Sequence, residues 1–195
     1  FFVDGVLLRG DAAKGYEGLV SYTGVTATQA PNDGTGSSRF WSAKTSAQIS
    51  RDFNSLLINI LSDTGQVEMA DTVLLPVGVF QYLASTKNSD SSDITILEFL
   101  QRTNVYTAMT GQQLSIRAVR GLGNKAGDAT ARAVAYRRSP EVLKAHIPMP
   151  HRFLPVWQTG PLKFDVPGIF RLGGLEIRLP KAVRYLDNIA AGSAT

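Results

Sequence analysis

Apolar positions along the chain change their period near the middle. Ile49, Phe53, Leu56, Leu57, Ile60 and Leu61 recur at steps of three and four, the spacing of a helix that buries one stripe. Thr45 or Ser46 stands where a capping side chain is wanted, and Gly65 lies just past the last turn, where a left-handed residue ends a helix. Thr72-Val73-Leu74-Leu75 is a short continuous apolar run and predicts a buried strand. Pro76 ends that run and suits the first turn of a helix over Val77–Ala84. After the polar stretch Lys87–Ser92, Asp93 is the expected cap of a helix from Ile94 to Arg102, with Ile96, Phe99 and Leu100 turned inward.

Beyond residue 110 the period falls to two. Leu114, Ile116 and Ala118 alternate with Ser115, Arg117 and Val119, and Thr130–Arg138 sets Arg132, Val134, Tyr136 and Arg138 against Ala131, Ala133, Ala135 and Arg137. Both read as strands, and the Gly-rich stretch Gly121–Gly127 between them predicts a hairpin with a long loop. Prolines at 140, 148, 150, 155, 161, 167 and 180 then cut the chain into extended pieces: Phe153–Gln158, Leu162–Val166, Leu175–Leu179 and Val183–Leu186. Proline is poorly tolerated in central strands, so several of these pieces are expected at edges or in arms. Residues 31–38 are dense in turn formers and predict an exposed loop. The pattern is α+β, with helices mainly first and antiparallel strands mainly afterwards.

A chain of 195 residues is long enough for one domain, or two small subdomains sharing a core. Charged residues make up 18%, against about 25% in an average domain, which suits a subunit that hides much of its surface against neighbours. The net charge of +4 is unevenly placed: residues 1–110 hold 7 Lys/Arg and 11 Asp/Glu, and residues 111–195 hold 13 and 5. Such a basic half fits acidic neighbours or nucleic acid. The basic residues are mostly spaced singly along alternating strands rather than clustered, which favours solvated or subunit-pairing roles over direct nucleic-acid contact. The longest apolar runs, such as Leu56–Leu61, are broken and short, so no membrane span is expected. The start, Phe1-Phe2-Val3-Asp4, has neither an initiator Met nor a signal-peptide pattern, so the true N-terminus is expected upstream.

The residues that carry chemistry are sparse. No cysteine occurs, which removes disulfides, thiolate metal sites and a cysteine nucleophile. His146 and His151 flank Ile147-Pro148-Met149-Pro150 and read as surface or interface histidines, because a zinc site needs further ligands. Gly121-Leu122-Gly123-Asn124-Lys125-Ala126-Gly127 has its third glycine one place too late for a dinucleotide fingerprint and no following helix to hold a phosphate. There is no Gly-x-Ser-x-Gly turn. Asp52, Asp63, Glu68 and Asp71 read as a solvated face. Trp41 and Trp157 read as core or interface packing, since no basic-aromatic repeat accompanies them. No catalytic, cofactor-binding or metal-binding residue is assigned, and no cofactor is expected.

Five segments, in order, resemble tailed-phage major capsid proteins with the Hong Kong ninety-seven-like fold. Gly15-Tyr16-Glu17-Gly18-Leu19-Val20 with Gly24-Val25 resembles that family's Gly-Leu-x-Asn-x-x-Gly-Val segment, with Ser21 where Asn is usual. Trp41 followed by Ile49-Ser50-Arg51-Asp52-Phe53-Asn54 resembles its Trp…Ile-x-x-Asp-Ile-Asn. Asp71-Thr72-Val73-Leu74-Leu75-Pro76 resembles its Asp-Thr-Leu-Leu-Leu-Pro strand, and Ala133-Val134-Ala135-Tyr136 with Ser139-Pro140-Glu141 and Ile147-Pro148 the strand and turn that follow. Arg171–Pro180 and Tyr185-Leu186-Asp187-Asn188-Ile189 resemble its closing Arg-x-Gly-Gly-Val…Pro…Tyr-x-Asp-Gly-Ile, with Asn188 for the final Gly.

That resemblance implies a structural protein that self-assembles into hexamers and pentamers of an icosahedral shell around phage DNA. It implies an axial-type domain over residues 20–145, and peripheral-type elements over 1–19 and 146–195 that join neighbouring capsomers. The family's N-terminal arm and spine helix cannot be placed in this sequence. The implied partners are copies of itself, double-stranded DNA bound non-specifically, and scaffolding and portal proteins, with no membrane. The implied location is the virion capsid, and the bacterial host cytoplasm during assembly. Two other classes stay open: an encapsulin-like nanocompartment shell packaging a cargo enzyme, and a small hydrolase or nucleotide-binding enzyme, which would need a deep pocket with converging polar groups.

Overall fold

The computed structural model describes residues 2–89, 93–123 and 130–192. In chain order, α1 (Phe2–Arg9) leads into the short antiparallel pair β1 (Gly10–Asp11) and β2 (Tyr16–Glu17), and then β3 (Ala27–Gln29). Helix α2 (Ser46–Asp63) is followed by β4 (Thr72–Pro76), α3 (Val77–Ser85), α4 (Ile96–Arg102), α5 (Val105–Thr110), β5 (Ser115–Val119) and β6 (Thr130–Tyr136). Next come β7 (Leu143–Ala145), β8 (Met149–Phe153), β9 (Trp157–Gly160), β10 (Lys163–Asp165), β11 (Gly168–Arg171), β12 (Leu175–Ile177) and β13 (Val183–Ala191).

One five-stranded sheet, in the order β3-β13-β6-β4-β5, organises the body. Alternate residues of its inner strands point to opposite faces, and both faces are covered. On one face Val73 and Leu75 of β4, Ala131, Ala133 and Ala135 of β6, and Leu186 and Ile189 of β13 meet α2 through Ile49, Phe53, Leu56, Leu57 and Ile60. On this face α2 comes nearer to β13 than to β6. On the other face Leu74, Val134, Val183 and Tyr185 pack with Leu19, Val20, Val25, Val142 and Ile177. Burial on both faces explains why β4 is a continuous apolar run rather than an alternating one.

Helix α2 follows its sequence pattern. Thr45 caps it, accepting from the Gln48 backbone N–H while the Gln48 side chain accepts from the Thr45 N–H, a reciprocal pair of bonds. Thr45→Ala is expected to lower unfolding stability by about 1 kcal/mol, measured by urea titration. Helix α4 starts later than expected: Thr95, not Asp93, caps it through the Glu98 N–H at 3.3 Å. Phe99 is half-buried, while Ile96 and Leu100 are buried as their spacing requires.

The expected hairpin between β5 and β6 does not form. β4 lies between them, parallel to β5 and antiparallel to β6. The run Thr72–Pro76 is apolar on both faces and so takes an inner position, while β5, with Arg117 exposed, is left at the edge. Of the Gly121–Gly127 loop, residues 124–127 lie outside the described residues; Leu122 is buried. β13 pairs with β6 antiparallel and β3 parallel, so residues 183–191 share a sheet with strands from the 20–145 region. Its register slips between Asp187 and Ala191. At that slip Asn188 has φ +64°, a conformation that asparagine tolerates better than most residues with a Cβ.

Candidate functional site

Residues 143–177 leave the body as a long two-stranded arm. β7 pairs with β12, β8 with β11 and β9 with β10, all antiparallel and nested like one hairpin. The prolines at 148, 150, 155, 161 and 167 withhold backbone donors and so divide the ladder into three short runs. The tip is tight: Gly160 pairs with Lys163, leaving only Pro161-Leu162 between the strands.

The arm has no core of its own. No residue from 143 to 173 is buried. Eight large apolar side chains stand exposed along it: Ile147, Phe153, Val156, Trp157, Leu162, Phe164, Val166 and Phe170. Leu162 at the tip is 94% exposed, and Phe153 and Trp157 are each 70% exposed. A lone two-stranded hairpin is marginally stable in water, and an apolar surface of this kind marks an interaction site. The arm is also basic, with Lys144, Arg152, Lys163 and Arg171 against Asp165 and Glu176.

Midway along the arm, His151 meets Phe153 edge to face at 4.8 Å, with Phe170 at 6.3 Å. Gly168 lies opposite Phe153. A Cβ there would stand 2.8 Å from His151 Nε2, so the glycine makes room for the rings. At the root, Gly174 has φ +83° and abuts the Tyr16 ring, seating the arm on the N-terminal segment. The His146 N–H donates to the Gly174 carbonyl at 3.0 Å, and the Gly173 N–H to the His146 carbonyl at 2.8 Å.

His146 Nε2 also lies 2.6 Å from Glu176 Oε2, and Arg178 Nε lies 3.5 Å from the same oxygen. The bond to His146, helped by the Arg178 charge, holds the Glu176 carboxyl below the usual carboxylate range. A depressed folded pKa means that this contribution is present above the ordinary glutamate range and fades as pH falls through the lowered value. Acidification through that window is expected to lower the protection of the amides at the β7–β12 root relative to their intrinsic exchange rates at each pH, and Glu176→Gln to remove that step, both read by hydrogen exchange. Among the described residues no group of three or more His, Asp or Glu could hold a metal. No helix is long and apolar enough to cross a membrane among them either.

The remaining sequence candidates divide between body and arm. Trp41 is core, at 1% exposure, whereas Trp157 lies on the arm. The expected solvated carboxylate face is corrected in part. Asp52 is fully buried, 2.6 Å from the equally buried Lys44 Nζ, which also lies 3.0 Å from Asp33; Arg51 closes the cluster on Asp33 and Asp52. This pins loop 31–44 to α2. Glu68 is buried against Arg137, and Asp71 Oδ1 accepts from the Arg138 backbone N–H at 2.8 Å. Arg137 is thus engaged within its own chain. A second buried pair was missed by sequence reasoning: Arg132 Nε and Nη2 lie 2.6 and 2.9 Å from the Asp187 oxygens, with Nη1 on the Val20 carbonyl. The Arg132 guanidinium lies 4.2 Å from the centre of the Tyr185 ring, whose hydroxyl donates to the Leu19 carbonyl at 2.5 Å. Burial pushes the Tyr185 phenol well above its usual pKa.

Comparison with known proteins bears on this geometry. A family model described as "Major capsid protein" matches residues 1–189. The capsid of Myoviridae phage XM1 is similar in structure, with TM-score 0.76 and 20% identity over 96% of this chain and 60% of that one. A virus-like particle from Pyrococcus furiosus is similar at TM-score 0.50 and 13% identity, over 86% of this chain and 58% of that one. The chain therefore spans about three fifths of the length of each of these two solved chains. No curated protein matches.

Proposed function

We propose, given that the chain belongs to the major capsid protein family, that it builds a closed shell by binding copies of itself, and that the exposed arm is the part that joins one capsomer to the next. The family and the fold are those of a structural protein. One observation carries the role of the arm: residues 143–173 hold an apolar and basic surface with nothing of their own chain buried beneath it. Such a surface is stable when a second subunit covers it.

In this reading residues 20–145 are the axial-type part, arranged around hexamer and pentamer centres, with β13, from the stretch 146–195 expected to be peripheral-type, joined to their sheet. The arm and the N-terminal segment against Tyr16 are the peripheral-type part. The shell encloses double-stranded phage DNA, held without sequence preference, and forms in the bacterial cytoplasm with scaffolding and portal proteins. No catalytic step is assigned. A cargo-packaging compartment is the less favoured alternative, because the matching family model is that of a major capsid protein and a phage capsid shares the fold at TM-score 0.76.

Electron microscopy of the full-length protein after expression tests the reading. Closed shells, tubes or capsomer rings are expected. A protein that stays monomeric at high concentration would overturn it. Nucleic acid recovered from nuclease-treated particles, rather than a bound enzyme, separates the two kinds of shell.

A further inference from the structure

A groove of about 350 Å³ lies at the end of the body where α2 and α5 finish. Leu61, Val67, Met69, Tyr106 and Met109 supply its apolar lining. Val67 is 76% exposed and Met109 62% exposed, so the groove opens apolar side chains to solvent apart from the arm, beside the polar Gln66, Asp71, Thr110 and Arg137. We infer that this groove receives the arm tip, Leu162-Lys163-Phe164, of a second copy of the chain. The inference rests on the self-assembly reading and adds to it the surface that the arm meets.

Charge complementarity selects this occupant. α2 and α5 present their C-terminal ends beside the groove, and neither has a basic residue in its last turn. A helix C-terminus carries partial negative charge that a cation stabilises. Asp71 also lines the groove. The lining Arg137 has its charge taken up by Glu68, and Asp63 of α2 is paired with Arg184. The tip presents two exposed apolar side chains on either side of a lysine, an arrangement that fills an apolar groove and places a cation at the helix ends. The exposure of Leu162 and Phe164 shows that the tip does not occupy its own copy's groove. Tip and groove are different patches, so the contact is head to tail, and such contacts repeat into rings or extended arrays.

Thiol crosslinking tests the pairing, because this 195-residue sequence contains no cysteine. Full-length Leu162→Cys and Val67→Cys chains are co-expressed and purified as particles. They are then treated with a short bifunctional thiol reagent, with the unaltered full-length protein as blank. A covalent dimer joining the two variants is expected as the main product, and Lys163→Glu in the first chain should cut its yield several-fold at low salt. Phe164→Cys with Met109→Cys is the second pair, used if the first prevents particle formation. Particles that crosslink only tip to tip, or not at all, overturn the pairing while leaving self-assembly intact. Absence of particles from the unaltered protein overturns the self-assembly reading, and this pairing with it.

Discussion

Asp187→Ala is expected to destabilise the protein by about 3–5 kcal/mol, the usual cost of removing one partner from a buried ion pair. Arg132 and Asp187 side chains are 7% and 5% exposed, so water does little to replace the lost carboxylate. The guanidinium would stay trapped under Tyr185 with only the Val20 carbonyl as acceptor from the original set. The loss also spans the fold, because the pair ties β6 to β13 while its third bond holds the segment before β3. Urea unfolding followed by fluorescence of the buried Trp41 measures the change. The paired replacement of Arg132→Met with Asp187→Leu should recover most of it, since an apolar pair of similar volume often matches a buried ionic one. A single-variant loss below about 1 kcal/mol, the scale of an exposed pair, would mean that the site is effectively wet.

Removal of the arm is expected to have the opposite profile: assembly lost, body retained. Joining Ala145 to Leu175 through a two-residue asparagine–glycine turn keeps the β7–β12 ladder, whose register sets those two residues opposite one another, and uses a turn suited to hairpins. None of the residues removed is buried apart from Gly174, so the unfolding midpoint should fall little, by an amount typical of surface changes, within about 1 kcal/mol. Shell formation in the full-length protein should fall below detection by light scattering and microscopy. Shells of normal yield from the shortened protein would remove the arm from the assembly mechanism.

Local signals made much of the body legible. The α2 stripe, its Thr45 cap, the buried run at Thr72–Leu75 and the helix after Pro76 each depend on residues close in sequence, and each stands in the structure. The alternation of 130–138 set the correct faces for β6, with the alanines toward the helices. Pairing partners were harder to see. β5 and β6 lie near one another in sequence, yet β4 lies between them, because loop closure costs little next to placing the most apolar strand inside.

The buried charges follow the same division. Asp52 falls between Ile49 and Phe53, on the apolar stripe of α2, and that position was a readable sign that it is buried with a partner. Arg132 and Asp187 are 55 residues apart, with no local pattern linking them. The arm was foreseen only as proline-cut extended pieces. Its aromatic residues at 153, 157, 164 and 170 carried the signal for an interface, since such side chains in a segment too interrupted for a core need an external one.

The place of β13 has a consequence for biosynthesis. Before residues 183–191 leave the ribosome, β3 has no neighbour in the sheet and β6 lacks one of its two. Arg132 then has no carboxylate, and Tyr185 is missing from the second core. The sheet is therefore left incomplete until residues 183–191 have been made, and long-range pairing of this kind closes slowly. If the protein builds a shell as proposed, chains that stop short of β13 lack a finished subunit surface with which to join it.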